Sequence, residues 1–484
     1  MPNPRALRRK IQELREDVSA EGDALAARWK PWVRRREFAF SALNLAHYLA
    51  LRRRDLRRLQ EALMPWGLSS LGRCESRVLP TLDGVLASLD ALCREQTPGV
   101  EHPDPRAYFR GLRFLERRAR RALGPAPPEH HVRVMVTLPG EAATEPGIAK
   151  ALLERGASCF RINCAHDGAE AWEAMGRHVR RAEQEIGRPA RILMDLAGPK
   201  LRIAAVSERA RLERGLRFLL TREEPVPGAS PVEASCAEPG VVETLRVGER
   251  VFVDDGSAVA TVVSLEPRGA LLEVTRSKGK KLKPEKGLNF PDSDLRVPSL
   301  GSKDLADLDS ILRIADLVGY SFVRSADDVA LLQDEMRARL PDAWRSKGII
   351  AKIETPLAVR NLPDIIVRGA GSQPFGVMIA RGDLAVELGF VRIAEIQEEL
   401  LWLCEAAHVP VIWATQVLEA FVKNGIPTRA EMTDAAMATR AECVMLNKGP
   451  FVADAVHVLG RVLSRMEAHQ FKKTPQLRAL QAWR

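Results

Sequence analysis

The chain contains no run of about 18 uncharged apolar residues, the length an α-helix needs to cross a bilayer. A membrane span is therefore not expected. Its start, MPNPRALRRK, lacks the apolar stretch of a secretory leader. The seven cysteines are scattered and form no CxxC pair. That argues against a disulfide frame or a zinc site and fits a reducing, cytoplasmic setting. No internal repeat, low-complexity tract or nucleic-acid-binding motif stands out. What remains is 484 residues with 46% hydrophobic content, enough for two or three domains with a large buried core.

Charge is unevenly placed. The net charge is +10 overall, and residues 1–130 hold 25 Lys/Arg against 16 Asp/Glu. Nearly all of the excess thus lies in the front segment. Leu7, Ile11, Leu14 and Val18 recur at helical spacing. Residues 5–62 read as helices, with LRRRDLRRLQEAL at 51–63 as one such stretch. Further helical stretches fall near 80–97 and 105–123. Arginines interleave with leucines, so the plain reading is amphipathic helices with solvated basic faces. An acidic partner or nucleic acid would be the alternative. GPAPPEHH at 124–131 reads as a linker.

From 132 onward strand and helix patterns alternate. Eight candidate strands fall at 132–137, 158–162, 191–195, 316–322, 349–353, 376–380, 410–414 and 442–446. Eight β/α units predict a closed parallel barrel, a (β/α)8 TIM barrel of the α/β class. The gap between the third and fourth strands is about 120 residues long and β-like, with VVETLRVGERVFVDDG and ALLEVTRSKGKKL. A small β-domain is expected there as a lid. The expected divisions are an all-α domain at 1–130, barrel at 131–202, inserted β-domain at 203–290 and barrel again at 291–484.

Several strands finish in residues able to do chemistry, as at the catalytic face of a barrel. Lys352 and Glu354 are two apart, so on a strand they share a face. Asp383 closes the next strand. A lone Lys-x-Glu is usually a surface pair, but the neighbouring ARGD strand end makes a metal and phosphate pocket the better reading.

Longer motifs give the pattern a family. IIAKIET at 349–355, ARGDLAVE at 380–387 and ATQVLEAFVKNGIPTRAEMTDAA at 414–436 resemble pyruvate kinase. So do FRIN with Ala165-His166, MDLAGPKLR at 194–202, VDDG at 253–256, KGLNFP at 286–291 and SFVR at 321–324. They keep the family's order across about 132–450. The resemblance implies phosphoryl transfer from phosphoenolpyruvate to ADP, giving pyruvate and ATP. It implies Glu354 and Asp383 as Mg²⁺ ligands and Lys352 as the charge on the phosphoryl group in flight. It implies Arg161 on the substrate phosphate. The Gly382 and Asp383 amides and Thr415 would take the substrate carboxylate. His166, Arg202 and Lys286 would face the nucleotide phosphates, with Asp255 closing over them.

The departures from the family pattern carry expectations of their own. The family's monovalent-cation ligands survive here as Asn163 and Asp195, while Ala165 and Leu196 replace two hydroxyls. Lys200 stands where a glutamate is common, and an ammonium can supply the lost ion's charge. The expectation is an enzyme that needs Mg²⁺ and no K⁺. The loop Leu138-Pro139-Gly140-Glu141 and the stretch Asn447-Lys448-Gly449-Pro450 also depart from the pattern. They bear on nucleotide use and on the protonation step. The chain reaches Arg484 soon after the last barrel segment, so the family's C-terminal effector domain is not expected. PTRAEMTDAA at 427–436 is kept, which favours a homodimer over the common tetramer. Two other functions compete. One is a Mg²⁺-dependent 2-oxo-acid lyase or aldolase. The other is an impaired pseudoenzyme whose basic front segment binds a partner.

Overall fold

A computed structural model of the chain describes residues 3–478 apart from 294 and 296. Residues 1–2 and 479–484, the outer ends of the first and last expected segments, lie outside the described residues. Eight strands form where the apolar runs predict them, within two residues. They are β1 (Arg133–Thr137), β2 (Cys159–Asn163), β3 (Arg191–Asp195), β4 (Leu317–Tyr320), β5 (Gly348–Ile353), β6 (Phe375–Ala380), β7 (Val411–Ala414) and β8 (Cys443–Leu446). All neighbours pair in parallel and the sheet closes on itself. The runs are apolar on both faces because each strand packs inward on the barrel core and outward on helices. One close approach requires glycine: a Cβ on Gly319 of β4 would sit 2.0 Å from Asp195 Oδ1 on β3.

The long insertion is β-structure as expected. Seven strands between Ile203 and Asn289 form a second sheet, antiparallel except where Phe218 pairs with Val232. It has its own core, including Phe218, Val251, Val262 and Leu272. This lid leaves the barrel just beyond β3 and returns just before the helix Ser302–Ile314.

The basic front segment is helical and built onto the barrel. Its main helices are α1 (Pro4–Trp29), α2 (Arg36–Arg52), α3 (Val78–Cys93) and α4 (Arg110–Leu123). Leu7, Ile11, Leu14 and Val18 are all buried, as their spacing predicts. The stretch 51–63 differs from the expectation of one helix. It breaks after Arg52 and resumes at Arg57, because the Asp55 carboxylate takes the Arg57 amide at 3.1 Å in place of a backbone carbonyl.

The end of α4 closes the barrel at the start of its strands. Ala122 and Leu123 join Met135, Cys159, Leu317, Ile350 and Cys443 in one apolar cluster. Arg133, wholly buried, donates to the Gly124 carbonyl at 3.1 Å and pairs with Glu116 at 2.9 Å. On the barrel's flank Asn44 donates to the Ala406 carbonyl at 2.8 Å and the Trp29 indole to Asp364 at 2.7 Å. His408 sits wholly buried between the two parts, with Nδ1 2.8 Å from Ser41 Oγ and Nε2 3.0 Å from the Ser76 carbonyl. Burial, aided by the nearby Arg118 and Arg110, pushes its pKa from 6.5 to about 3.

The sign follows. Between about pH 6.5 and 3 the unfolded chain binds a proton at this histidine that the folded chain does not. Stability from this group is full above pH 6.5 and falls as pH drops, by up to ~1.4 kcal/mol per unit. Urea unfolding at pH 7 and pH 5 should show that loss. His408→Asn should be less stable at pH 7 and have a visibly flatter pH dependence. An unchanged slope would contradict the assignment.

Candidate active site

Four charged side chains meet at the strand ends, where β2, β3 and β5 bring them together. Lys352 and Glu354, on the face predicted by their spacing, pair at 3.0 Å, and Lys352 Nζ also lies 3.4 Å from Asp195 Oδ2. Arg161 reaches the same oxygen of Asp195 at 2.8 Å. Asp195 is 1% exposed and Glu354 2%. Bare charges at such depth are stable only when paired. Lys352 also donates to Ser321 Oγ at 2.7 Å, and Arg161 to Thr137 Oγ1 at 3.1 Å. Glu354 accepts the Phe322 amide at 2.5 Å.

The ionisation pattern is set by this packing. Burial works against charge on Lys352, yet Glu354 and Asp195 outweigh it and hold its pKa above the lysine value. Burial likewise pushes Asp195 up, and Arg161 with Lys352 overcome it, leaving a carboxylate below its usual range. Glu354 goes the other way. Burial and then the negative charge of Asp383 raise it against the pull of Lys352. The negative charge of Asp383 near Glu354 is of the kind a cation between them would relieve.

Asp383 opens α5 (Arg381–Leu388), the helix that follows β6. Its Oδ1 accepts from Lys200 Nζ at 3.0 Å, and the same ammonium lies 3.3 Å from Asp255 Oδ1 on the lid. Burial opposes the charge on Lys200, but Asp383 and Asp255 prevail and raise its pKa. The ammonium thus occupies a place beside Asp383 suited to a metal cation. Oxygen donors from Glu354 and Asp383, with a positive group already drawn to one of them, fit Mg²⁺, which commonly takes one or two carboxylates and fills its shell with water or substrate. Among the described residues no cluster of three or more His, Cys, Asp or Glu could hold a metal.

The residues expected at the substrate carboxylate also meet. Thr415 Oγ1 accepts the Gly382 amide at 2.8 Å. Thr415 holds a left-handed φ of 65°, rare for a β-branched residue and a mark of functional strain. Arg381 fixes this corner by donating to the Ala414 carbonyl at 3.0 Å, the Thr415 carbonyl at 2.7 Å and Asp434.

Other expected residues stand further out. Lys286 reaches Asp254 rather than Asp255, at 2.7 Å. Arg202 donates to the Glu285 carbonyl at 3.0 Å. The His166 side chain is exposed, and its carbonyl accepts the Trp172 indole at 3.0 Å. Asn163 Oδ1 takes the Ala165 amide at 3.3 Å. Asp195 Oδ1 is buried without a partner. The cations beside Asp195 are Arg161 and Lys352, whereas Lys200 points to Asp383 and Asp255. Sequence reasoning did not single out Ser321, Thr137, Arg381 or Asp434. Ser321 and Thr137 are polar residues at strand ends, the signal that marked the others.

Comparisons with known proteins agree with this geometry. The family model "Pyruvate kinase, barrel domain" matches residues 129–454. A pyruvate kinase of Methylorubrum extorquens is 32% identical over 69% of this chain and 68% of its own length. One from Corynebacterium efficiens is 33% identical, covering 70% and 69%. A crystal structure of a pyruvate kinase from Cryptosporidium parvum superposes with a TM-score of 0.65 at 27% identity, covering 72% of each chain. The chain belongs to the pyruvate kinase family.

Proposed function

We propose that the chain transfers the phosphoryl group of phosphoenolpyruvate to ADP, giving pyruvate and ATP. The observation that carries this reading is the buried set Arg161, Asp195, Lys352 and Glu354, with Asp383 on the next strand's helix. Arg161 holds the substrate phosphate from one side. Lys352, kept protonated by its two carboxylate neighbours, offers a fixed positive charge to the equatorial oxygens as they gain charge. Such preorganised charge is the main catalytic resource in phosphoryl transfer. The substrate carboxylate lies at the start of α5 and takes the Gly382 amide over from Thr415. Thr415 then stands beside the carbon that receives a proton. His166, Arg202 and Lys286 bind the nucleotide phosphates, and Asp255 closes from the lid. Glu354 and Asp383 hold Mg²⁺, which supplies Lewis-acid charge to substrate oxygens when bound.

No K⁺ is required in this reading. Lys200 brings a permanent ammonium to the metal-binding corner, and Asp195 is already matched by Arg161 and Lys352. A homodimer is proposed through the barrel flank at 427–436, next to which Ile426 is 73% exposed; Phe390 and Val391 are further exposed apolar side chains, at 79% and 93%. The proposed setting is the cytoplasm. All seven cysteines are free and buried, and no described helix is long and apolar enough to cross a membrane. The divisions at 1–130, 131–202, 203–290 and 291–484 are kept as the working domains. A lyase or aldolase on the same carboxylate pair is not favoured, since the curated relatives are pyruvate kinases across about 70% of the chain. An impaired pseudoenzyme is not favoured either, because the charged set is intact.

Two outcomes are expected. In a coupled pyruvate assay with Mg²⁺, turnover without K⁺ should stay within about twofold when KCl replaces a tetramethylammonium salt at constant ionic strength. A many-fold rise would remove Lys200 from its proposed part. Lys352→Met should lose roughly 10³-fold or more in kcat while its circular dichroism stays that of the parent. Near-normal turnover would show that the phosphoryl charge is met elsewhere.

A further inference from the structure

The lid touches the barrel at α5 in three ways. Asp255 reaches Asp383 through Lys200. Gly256 lies against Val386, where a Cβ would stand 3.6 Å from Val386 Cγ2. Asn289, on the last lid strand, donates from Nδ2 to Glu387 Oε1 at 2.9 Å. The three differ in kind. The Asp255 side chain is 68% exposed, so its pairing is weakened by salt and water. The Gly256 approach to Val386 is apolar. Asn289 is only 6% exposed and Glu387 is half-buried, so their bond is better shielded than the Lys200–Asp255 contact.

Packing alone does not fix the lid here. A cavity of about 490 Å³ separates Leu201, Leu288 and Phe290 on the lid's two connections from Phe322 and Leu357 on the barrel, and Asn289 and Glu387 both line it. A void removes the close contacts that would define one angle. Across the gap Arg324 ties the lid's second connection through the Leu295 and Val297 carbonyls, and Asn289 with Glu387 ties the lid strand itself to α5. Glu387 stands one helical turn beyond Asp383 on α5, so the lid anchor and the metal-site carboxylate share one rigid rod. Asn289 Oδ1 is buried and has no partner.

We propose that Asn289 and Glu387 are positioning residues for nucleotide use: their hydrogen bond sets the closed angle of the lid relative to α5. That angle fixes how far Lys286 and Asp255 stand from Lys352 and Asp383, and hence where the ADP phosphates lie against the phosphoryl group. The inference rests on the nucleotide assignment of Lys286, Arg202 and Asp255 made above. The phosphoenolpyruvate contacts belong to the barrel and do not depend on the latch.

Steady-state kinetics for both substrates, with melting temperatures, test it. Asn289→Ala should raise KM for ADP about tenfold, the scale of one buried hydrogen bond, and leave KM for phosphoenolpyruvate within about twofold. Glu387→Ala should do the same, and the double variant should be no worse than either single. Glu387→Gln keeps the acceptor and brings an N–H toward Asn289 Oδ1, so its KM for ADP should equal the parent's or fall below it. An unchanged KM for ADP in Asn289→Ala, multiplying effects in the double variant, or equal rises for both substrates with a lowered melting temperature would each overturn the latch. Calorimetric binding of MgADP to the full chain separates this from the activity. If the parent did not turn over, Asn289→Ala should still weaken MgADP binding about tenfold, and unchanged affinity would overturn the proposal.

Discussion

Lys352 lies between Asp195 and Glu354, and the active site is arranged around that pairing. Removing one partner from a buried ion pair leaves an uncompensated charge and costs ~3–5 kcal/mol. The strands that carry the partners are therefore held to one register. Gly319 is bare so that the Asp195 carboxylate fits between β3 and β4. Ser321 and the Phe322 amide take the remaining bonds of Lys352 and Glu354. Arg161 shares Asp195 with Lys352, so two cations sit close together, stabilised by one carboxylate. That crowding of positive charge is what a phosphoryl group with growing negative charge requires.

α5 links this set to the rest of the molecule. It carries Gly382 and Asp383 at its start and Val386 and Glu387 a turn later. The first pair is proposed for substrate and metal, and the second touches the inserted domain. At the other end of the barrel, α4 inserts Ala122 and Leu123 beneath the strands. The basic front segment is thereby part of the barrel's own packing. Its long-range bonds at Asn44, Ser41 and Arg118 join it to the flank that leads from β6 to β7, and Trp29 joins it to the helix between β5 and β6.

Much of this was legible in the sequence. Barrel strands announce themselves as short apolar runs, and the polar residue that ends each one faces the site. Lys352, Glu354, Asp383 and Thr415 were found by that rule, which also applies to Ser321 and Thr137. Contacts that depend on the lid were less legible. The sequence suggested Lys200 beside Asn163 and Asp195, and folding of the lid draws its ammonium to Asp383 and Asp255 instead. Lys286 meets Asp254 within the lid, where positions 254 and 255 are both left-handed. The break at Asp55 escaped the periodicity because a side chain competed for a backbone amide. The docking of the front segment uses hydrogen bonds between residues 290 to 367 positions apart, for which periodicity carries no signal.

The most direct measurement is phosphorus NMR of the full chain with Mg²⁺, phosphoenolpyruvate and ADP. The account predicts that the phosphoenolpyruvate resonance falls as the γ-phosphate of ATP rises, one for one, with no inorganic phosphate released. Phosphoenolpyruvate that persists unchanged, or that yields inorganic phosphate in place of ATP, would contradict it.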